Sequence, residues 1–558
     1  MTLPTAPLDI RVPSNTHPSH RPPNYGAALT GYNESADTIT GSPQQPGRSM
    51  LESFAGSYSR ASMLYMAENL TVPSMENLSR AASLLDSQHG VSDDEERLAT
   101  VDTKGSDRMQ FDALERTLSH PSVAGGCYHQ FPSLSRHTTV GSVMTSYSGL
   151  GQVSEYVPRS NFIQSVFNAV NVLIGIGILA LPLAFRLGGW LFGTMTFLFC
   201  AAATNYTAKL IARCLDVSPG ACTYGDMGAS AFNEKGRALV SGIFIVELMT
   251  IGVAMVVLLG DGLQSFWPSI DLITVRLLSF AILTPTLFLP MRKLAITSLI
   301  GIIACVALLV TVIANGLSKR TRPGSLWQPM DTEIIPADPS HIPLAFGLVM
   351  AGFSGHAVFP AIYRDMQDPK QYERMVDITY LVTVFAYLTM SVAGYTMFGA
   401  ETMQEITQNL ALTPEYNELI TKVGIGLVVL TPIAKYGLML NPINLTGELW
   451  LLGKPSIESW CKGSAWRTRV VTSTVRIAVS LIIVYIATVF PGFDRVVSLL
   501  GALFSFGISI IFPLACYRRL FGQLTPVGEM IFNDILLFIS VVMAVVGTVW
   551  SFLPNDGV

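Results

Sequence analysis

The chain of 558 residues carries a formal net charge of −4; half of its residues are hydrophobic and only 13% are charged. This balance does not suit a basic nucleic-acid-binding protein, so we expect no nucleic acid partner. The seven cysteines show neither the spacing of a metal site nor an evident disulfide pair, so we expect no metal and no cofactor.

The first predicted unit comprises residues 1–157, which are rich in Ser, Thr, Pro, Gly and Asn. A composition of this kind buries too little apolar surface to offset the entropy of ordering, so we expect a disordered cytosolic tail with a regulatory role. Short kinase patterns surround Ser83, Ser92 and Ser119, and Tyr147 begins a tyrosine-based sorting pattern. Kinases and sorting adaptors are therefore candidate partners of this tail.

The second predicted unit, residues 158–558, contains repeated apolar runs that are long enough to cross a lipid bilayer. They predict an all-α polytopic membrane protein with eleven transmembrane helices, near residues 161–185, 189–213, 238–266, 271–289, 294–316, 342–363, 375–398, 418–446, 470–490, 495–517 and 529–552. Fourteen Lys and Arg residues fall on one set of loops against five on the other. This bias predicts a cytosolic N-terminus and a lumenal C-terminus.

Two of the predicted spans are interrupted by glycine in the same way. Gly175 and Gly177 interrupt span 1, and Gly352 and Gly355 interrupt span 6. A helix unwinds inside hydrocarbon only where protein, ligand or water satisfies the freed backbone groups. A matched pair of broken spans therefore indicates a transporter binding site. Spans 1 and 6 cross in opposite directions, so spans 1–5 and 6–10 can form two inverted repeats, with span 11 added.

The predicted substrate site surrounds these two breaks. The half-helix that starts near Ile178 presents N–H groups that suit an anion, and the carbonyls near Leu173 and Ile174 suit an ammonium group. The predicted substrate-binding residues are Asn171, Ile174, Gly175, Ile176, Gly177, Ile178, Gly352, Phe353, Ser354 and Gly355, with Asn168 and Thr431 as further pocket residues. Close packing of helices at small residues is the alternative explanation of the glycines.

Three titratable side chains inside the spans are candidates for proton coupling: His356, Glu247 and Lys435. Histidine titrates near neutral pH. Charges at bilayer depth usually face the interior of the helix bundle, where Glu247 and Lys435 could exchange protons. Two alternatives remain open, because His356 could be a neutral hydrogen-bond partner of a neighbouring helix and Lys435 a tether for carbonyls freed around Pro432.

Four runs of sequence carry a family resemblance. The first and sixth spans of the amino acid/auxin permease family, especially its fungal vacuolar members, resemble FNAVNVLIGIGILALPLAFRLGGW and MAGFSGHAVFPAIYRDMQDP. The eighth to tenth spans are similar to TPIAKYGLMLNPI and FPGFDRVVSLLGALFSFGISIIFPLACY. The resemblance covers roughly residues 158–552. It implies a LeuT-type fold with a five-plus-five inverted repeat and broken spans 1 and 6.

The same resemblance implies secondary active transport of neutral amino acids across the vacuolar membrane, by proton antiport into the vacuole. In sodium-coupled relatives, spans 1 and 8 hold the ion, so Lys435 on span 8 could replace sodium here. Proton-coupled export from the vacuole, or an amino acid sensor that signals through the tail, are the alternatives. The chain has no nucleophile–base motif, metal spacing or phosphate loop, so an enzyme is not expected.

Overall fold

The computed structural model describes residues 160–217, 221, 223–289, 291–462, 464–490 and 492–553, with only the backbone described for 291–299. The predicted tail, with its kinase and sorting patterns, lies outside the described residues. The regular secondary structure of the described residues is helical, and the only strand-like pairing among them is an isolated bridge between Ser160 and Met366.

The α-helices in chain order are α1 (Phe162–Leu173), α2 (Leu181–Asp216), α3 (Tyr224–Phe266), α4 (Leu272–Leu283), α5 (Met291–Ser318), α6 (Ile342–Gly352), α7 (Phe359–Asp365), α8 (Tyr372–Phe398), α9 (Ile406–Leu412), α10 (Glu418–Leu452), α11 (Pro455–Cys461), α12 (Ala465–Val489), α13 (Phe493–Leu499), α14 (Phe512–Phe521) and α15 (Val527–Phe552). A 3₁₀ segment, Ile176–Ala180, leads into α2, and another, Thr284–Phe288, extends α4. Two π-helical turns, Leu500–Ser505 and Gly507–Ile511, join α13 to α14.

Eight helical segments among the described residues are long and apolar enough to cross a membrane, and two shorter apolar helices accompany them. The chain is therefore an all-α, multi-pass membrane protein, as predicted. The count of eleven spans stays a prediction. Predicted spans 1 and 2 meet in one long helical segment, which bends at Gly189 (φ +61°), and predicted span 6 is divided into two helices too short to cross alone.

Both predicted breaks are confirmed. Helix α1 ends at Leu173, and the extended backbone of Gly175 separates it from the 3₁₀ segment that leads into α2. Helix α6 ends at Gly352, and residues 353–358 form turns before α7 begins at Phe359. Interruption of spans 1 and 6 is the feature on which the LeuT-type prediction depends, and the fold class is confirmed in this respect.

Local sequence signals explain where two helices begin. Asn161 caps α1: its side chain accepts a hydrogen bond from the Gln164 amide at 2.9 Å, and the Gln164 side chain accepts one from the Asn161 amide. Thr223 and Asp226 form the same capping box at the start of α3. Helix α3 begins fourteen residues before the predicted start of span 3 at residue 238, but its backbone is non-helical at Phe232 and Asn233, and the apolar part that hydropathy detects follows this kink.

Candidate functional site

The two broken helices contact each other through glycine. A Cβ atom on Gly177 would lie 2.8 Å from the Cα atom of Gly352, and a Cβ atom on Gly355 would lie 2.8 Å from the Leu173 side chain. Close packing therefore accounts for Gly177 and Gly355. It does not account for Gly175, where the nearest atom to an added Cβ is its own near neighbour, the Leu173 carbonyl oxygen, at 3.9 Å.

The hydroxyl of Tyr387, on α8, lies between the two breaks. It is 2.6 Å from the carbonyl oxygen of Leu173 and 2.9 Å from that of Gly352, and the side chain is fully buried. These carbonyls end the half-helices α1 and α6, so a side-chain donor satisfies backbone groups that the breaks release. Sequence reasoning missed Tyr387, although a tyrosine in the middle of an apolar span was visible as a signal.

The predicted substrate-binding residues divide by exposure. Gly175, Ile176, Ser354 and Gly355 are half-buried, whereas the remaining predicted residues of this set are buried. These four are therefore the partly accessible positions of the set. Ser354 supplies the polar side chain among them.

Phe353 packs into the interface between α2 and α8. Its ring lies edge-on to Phe197 at 5.4 Å and to Tyr387 at 5.5 Å, and it stacks on Tyr380 at 6.3 Å between ring centroids. Such aromatic contacts hold the span-6 break against its neighbours. Phe353 therefore positions the break instead of lining an opening.

Glu247 and Lys435 both approach the breaks. Glu247, buried on α3, lies beside Ser354 of the span-6 break. Lys435, buried on α10, lies against Gly301 and Cys305 of α5, and the Cys305 thiol faces the Gly175 carbonyl oxygen at 3.8 Å. The alternative in which Lys435 tethers carbonyls around Pro432 stays a prediction.

His356 faces helix α2. Its Nε2 atom lies 2.9 Å from the Thr204 carbonyl oxygen and 3.0 Å from the Thr207 hydroxyl, while Nδ1 has no hydrogen-bond partner among the described residues. An imidazole that donates from Nε2 and has no proton on Nδ1 is neutral, and a second proton on Nδ1 would leave a buried cation unpaired. This geometry matches the alternative in which His356 is a neutral partner of a neighbouring helix.

The remaining predicted pocket residues are buried. Asn168 and Asn171 lie on α1, and neither amide atom of Asn171 has a hydrogen-bond partner within the described part of the chain. The Thr431 hydroxyl bonds back to the Leu427 carbonyl of its own helix at 3.4 Å. Asn171 is thus the one of the three whose polar atoms remain available to a ligand.

A membrane-spanning helical bundle with two broken helices in contact, and with buried charged side chains beside them, is typical of a membrane carrier. The family profile described as "Transmembrane amino acid transporter protein" matches residues 158–553. The chain therefore belongs to this family, the amino acid/auxin permeases, and is an amino acid transporter.

Relatives from Arabidopsis thaliana agree with this assignment. The chain is 32% identical to the protein named amino acid transporter AVT1D, over 70% of this chain and 69% of the relative. It is 31% identical to amino acid transporter AVT1I, over 71% of this chain and 95% of the relative.

Proposed function

We propose that this chain is a secondary active transporter that moves neutral amino acids across the vacuolar membrane, into the vacuole, in exchange for protons. The family and its named relatives support amino acids as the substrate class. The proposed mechanism rests on the contact of Gly177 with Gly352, because this contact brings the freed backbone groups of two helices together in the membrane domain. The half-buried residues at the breaks are uncharged, which suits a neutral substrate side chain.

In this mechanism the substrate carboxylate binds at the start of the 3₁₀ segment Ile176–Ala180, where N–H groups suit an anion. The substrate ammonium binds the carbonyls of Leu173 and Gly352. It competes there with the Tyr387 hydroxyl, which contacts both oxygens. The substrate side chain lies beside Ser354, in a pocket whose size determines selectivity.

Proton coupling involves the charged groups beside this site. Glu247 interacts with Ser354, so loss or gain of its proton changes the environment of the span-6 break. Lys435 lies near Cys305, whose thiol faces the Gly175 carbonyl oxygen, so its positive charge is close to the span-1 break. In sodium-coupled members, the resemblance places the ion between spans 1 and 8. His356 lacks a charged partner of this kind among the described residues and is the weakest of the three candidates.

The cellular arrangement is also part of the proposal. The N-terminus lies in the cytosol and the C-terminus in the vacuolar lumen, as the bias of Lys and Arg residues between the loops supports. Residues 1–157 regulate the transporter, through kinases or sorting adaptors, and residues 158–558 form the domain that transports the substrate.

Uptake of labelled amino acids into proteoliposomes that contain the full chain tests this function. With an acidic interior, neutral amino acids should accumulate, and a protonophore should abolish accumulation. Accumulation only when the outside is acidic would indicate symport and overturn antiport. Robust uptake driven by a sodium gradient alone would overturn proton coupling and the role of Lys435.

A further inference from the structure

A buried charged cluster lies on α3, α4 and the segment before α9. Arg276 of α4 is 1% exposed, and its guanidinium donates to the carbonyls of Val256 and Val257 at 3.1 Å each and lies 3.6 Å from Asp261. A guanidinium in this position holds α4 against the end of α3 and neutralises one carboxylate.

Glu405, the residue that precedes α9, adds a second carboxylate to this cluster. It is 1% exposed and interacts electrostatically with Asp261 and Arg276. Its Oε2 accepts a hydrogen bond from the Thr407 hydroxyl at 3.0 Å, but Oε1 has no hydrogen-bond partner among the described residues. A buried carboxylate oxygen without a donor is costly unless it carries a proton.

The charges of the cluster do not balance when all groups are ionised. Asp261 and Glu405 share the single guanidinium of Arg276. Asp494 faces Asp261 from α13. Its carboxylate forms a separate ion pair with Arg495, with 3.9 Å between Oδ2 of Asp494 and Nε of Arg495. Two carboxylates, the buried Glu405 and the half-buried Asp261, have one cation between them and retain a proton on one oxygen. Burial raises the pKa of Glu405 well above its usual range, and the charge of Asp261 raises it further.

We propose that Glu405 is a proton-binding site of this transporter, at the end of the membrane domain predicted to face the lumen. The inference rests on the proposed proton exchange and adds a site to it. The reaction is reversible binding of one proton at Oε1. Protonation leaves Asp261 as the sole carboxylate partner of Arg276, and deprotonation places an uncompensated charge between α3, α4 and α9.

The site connects directly to the span-1 break. Ile406, which follows Glu405, is fully buried, and its side chain would lie 3.2 Å from a Cβ atom on Gly394, which also packs against Pro182 at the start of α2. Helices α9 and α13 both contact the 3₁₀ segment Ile176–Ala180. A change of charge at Glu405 therefore acts on the element that is proposed to bind the substrate carboxylate.

Proton binding is tested first without transport, by thermal unfolding of the purified full chain across pH. When the folded protein raises the pKa of a carboxyl group, the contribution of that group to folding stability is lost as pH rises through the raised pKa. The side chain of Glu405→Gln stays neutral at every pH. The melting temperature of this variant should therefore rise relative to that of wild type as pH rises above about 4.3. A constant difference across pH would overturn proton binding at Glu405, whether or not antiport is correct.

Transport by the same variant then tests coupling. Glu405→Gln should lose pH-gradient-driven accumulation by at least about tenfold and should flatten the pH profile of counterflow, whereas Glu405→Asp should retain driven uptake with a shifted pH profile. Exposed Glu401, changed to Gln, is the matched control and should behave as wild type. Driven uptake in Glu405→Gln equal to wild type, or an unshifted profile in Glu405→Asp, would overturn the role in coupling. Failure of wild type to accumulate any amino acid would overturn antiport alone.

Discussion

Gly177 and Gly352 approach so closely that a Cβ atom on Gly177 would lie 2.8 Å from the Cα atom of Gly352 and 2.9 Å from its amide nitrogen. Both of these atoms belong to the backbone, so no side-chain rotation can relieve the overlap. The two broken helices can keep this distance only while residue 177 has no side chain.

Gly177→Ala should therefore push the two breaks apart. We expect overpacking to cost about 1–3 kcal/mol of unfolding free energy and uptake to fall strongly in proteoliposomes. The matched control is Gly242→Ala on α3, where an added Cβ meets no atom within 4 Å; it should retain uptake. Wild-type uptake by Gly177→Ala would show that the close contact is dispensable.

Tyr387→Phe removes only the hydroxyl that contacts the carbonyls of Leu173 and Gly352. Leaving these buried acceptors without a donor should cost about 1–3 kcal/mol of stability. Because the hydroxyl no longer competes with the substrate ammonium, the KM of uptake should fall. Tyr485→Phe, on the exposed face of α12, controls for the loss of a tyrosine hydroxyl. An unchanged KM in Tyr387→Phe would contradict the proposed ammonium site.

The position of the Lys435 ammonium depends on Gly301. A Cβ atom on Gly301 would lie 3.0 Å from Nζ of Lys435 and closer still to its Cε, so Gly301→Ala should displace the ammonium while keeping the charge. Misplacement of a functional group by about 1 Å lowers rates by up to about 100-fold, and we expect driven uptake to fall in this range.

Gly426→Ala is the matched control for this experiment, because an added Cβ there meets no atom within 4 Å. Lys435→Met should lower driven uptake at least as strongly as Gly301→Ala. If Lys435→Met preserves the response of uptake to the pH gradient, Lys435 has no part in coupling.

Asp271 caps α4 at the predicted lumenal face. Hydrogen bonds from the Thr274 hydroxyl and amide lower the pKa of Asp271 below its usual value. Its contribution to stability is therefore present above the unfolded pKa of about 3.9 and is lost as pH falls through the lower folded value. Asp271→Asn keeps a good cap without a charge. The melting temperatures of the two proteins should stay parallel above about pH 4 and converge or cross below it.

The breaks could be predicted from sequence because each signal is local. Glycine pairs inside apolar runs predict interruption of a membrane helix wherever they occur, and both interruptions lie at the predicted residues. Asn161 likewise marks the start of α1 through its own capping box. The prediction for span 3 was less accurate, because the polar first turns of α3 carry no hydropathy signal.

The amino-acid sequence alone therefore determined the membrane class, the family resemblance and the two breaks, all of which depend on composition and short patterns. Only the tertiary structure brought Tyr387 to the carbonyls of Leu173 and Gly352, and Glu405 to Asp261 and Arg276. These partners lie far apart in the chain, and a buried polar group is satisfied by whichever donor packing places beside it. Their pairing depends on how the helices pack, which no local pattern specifies.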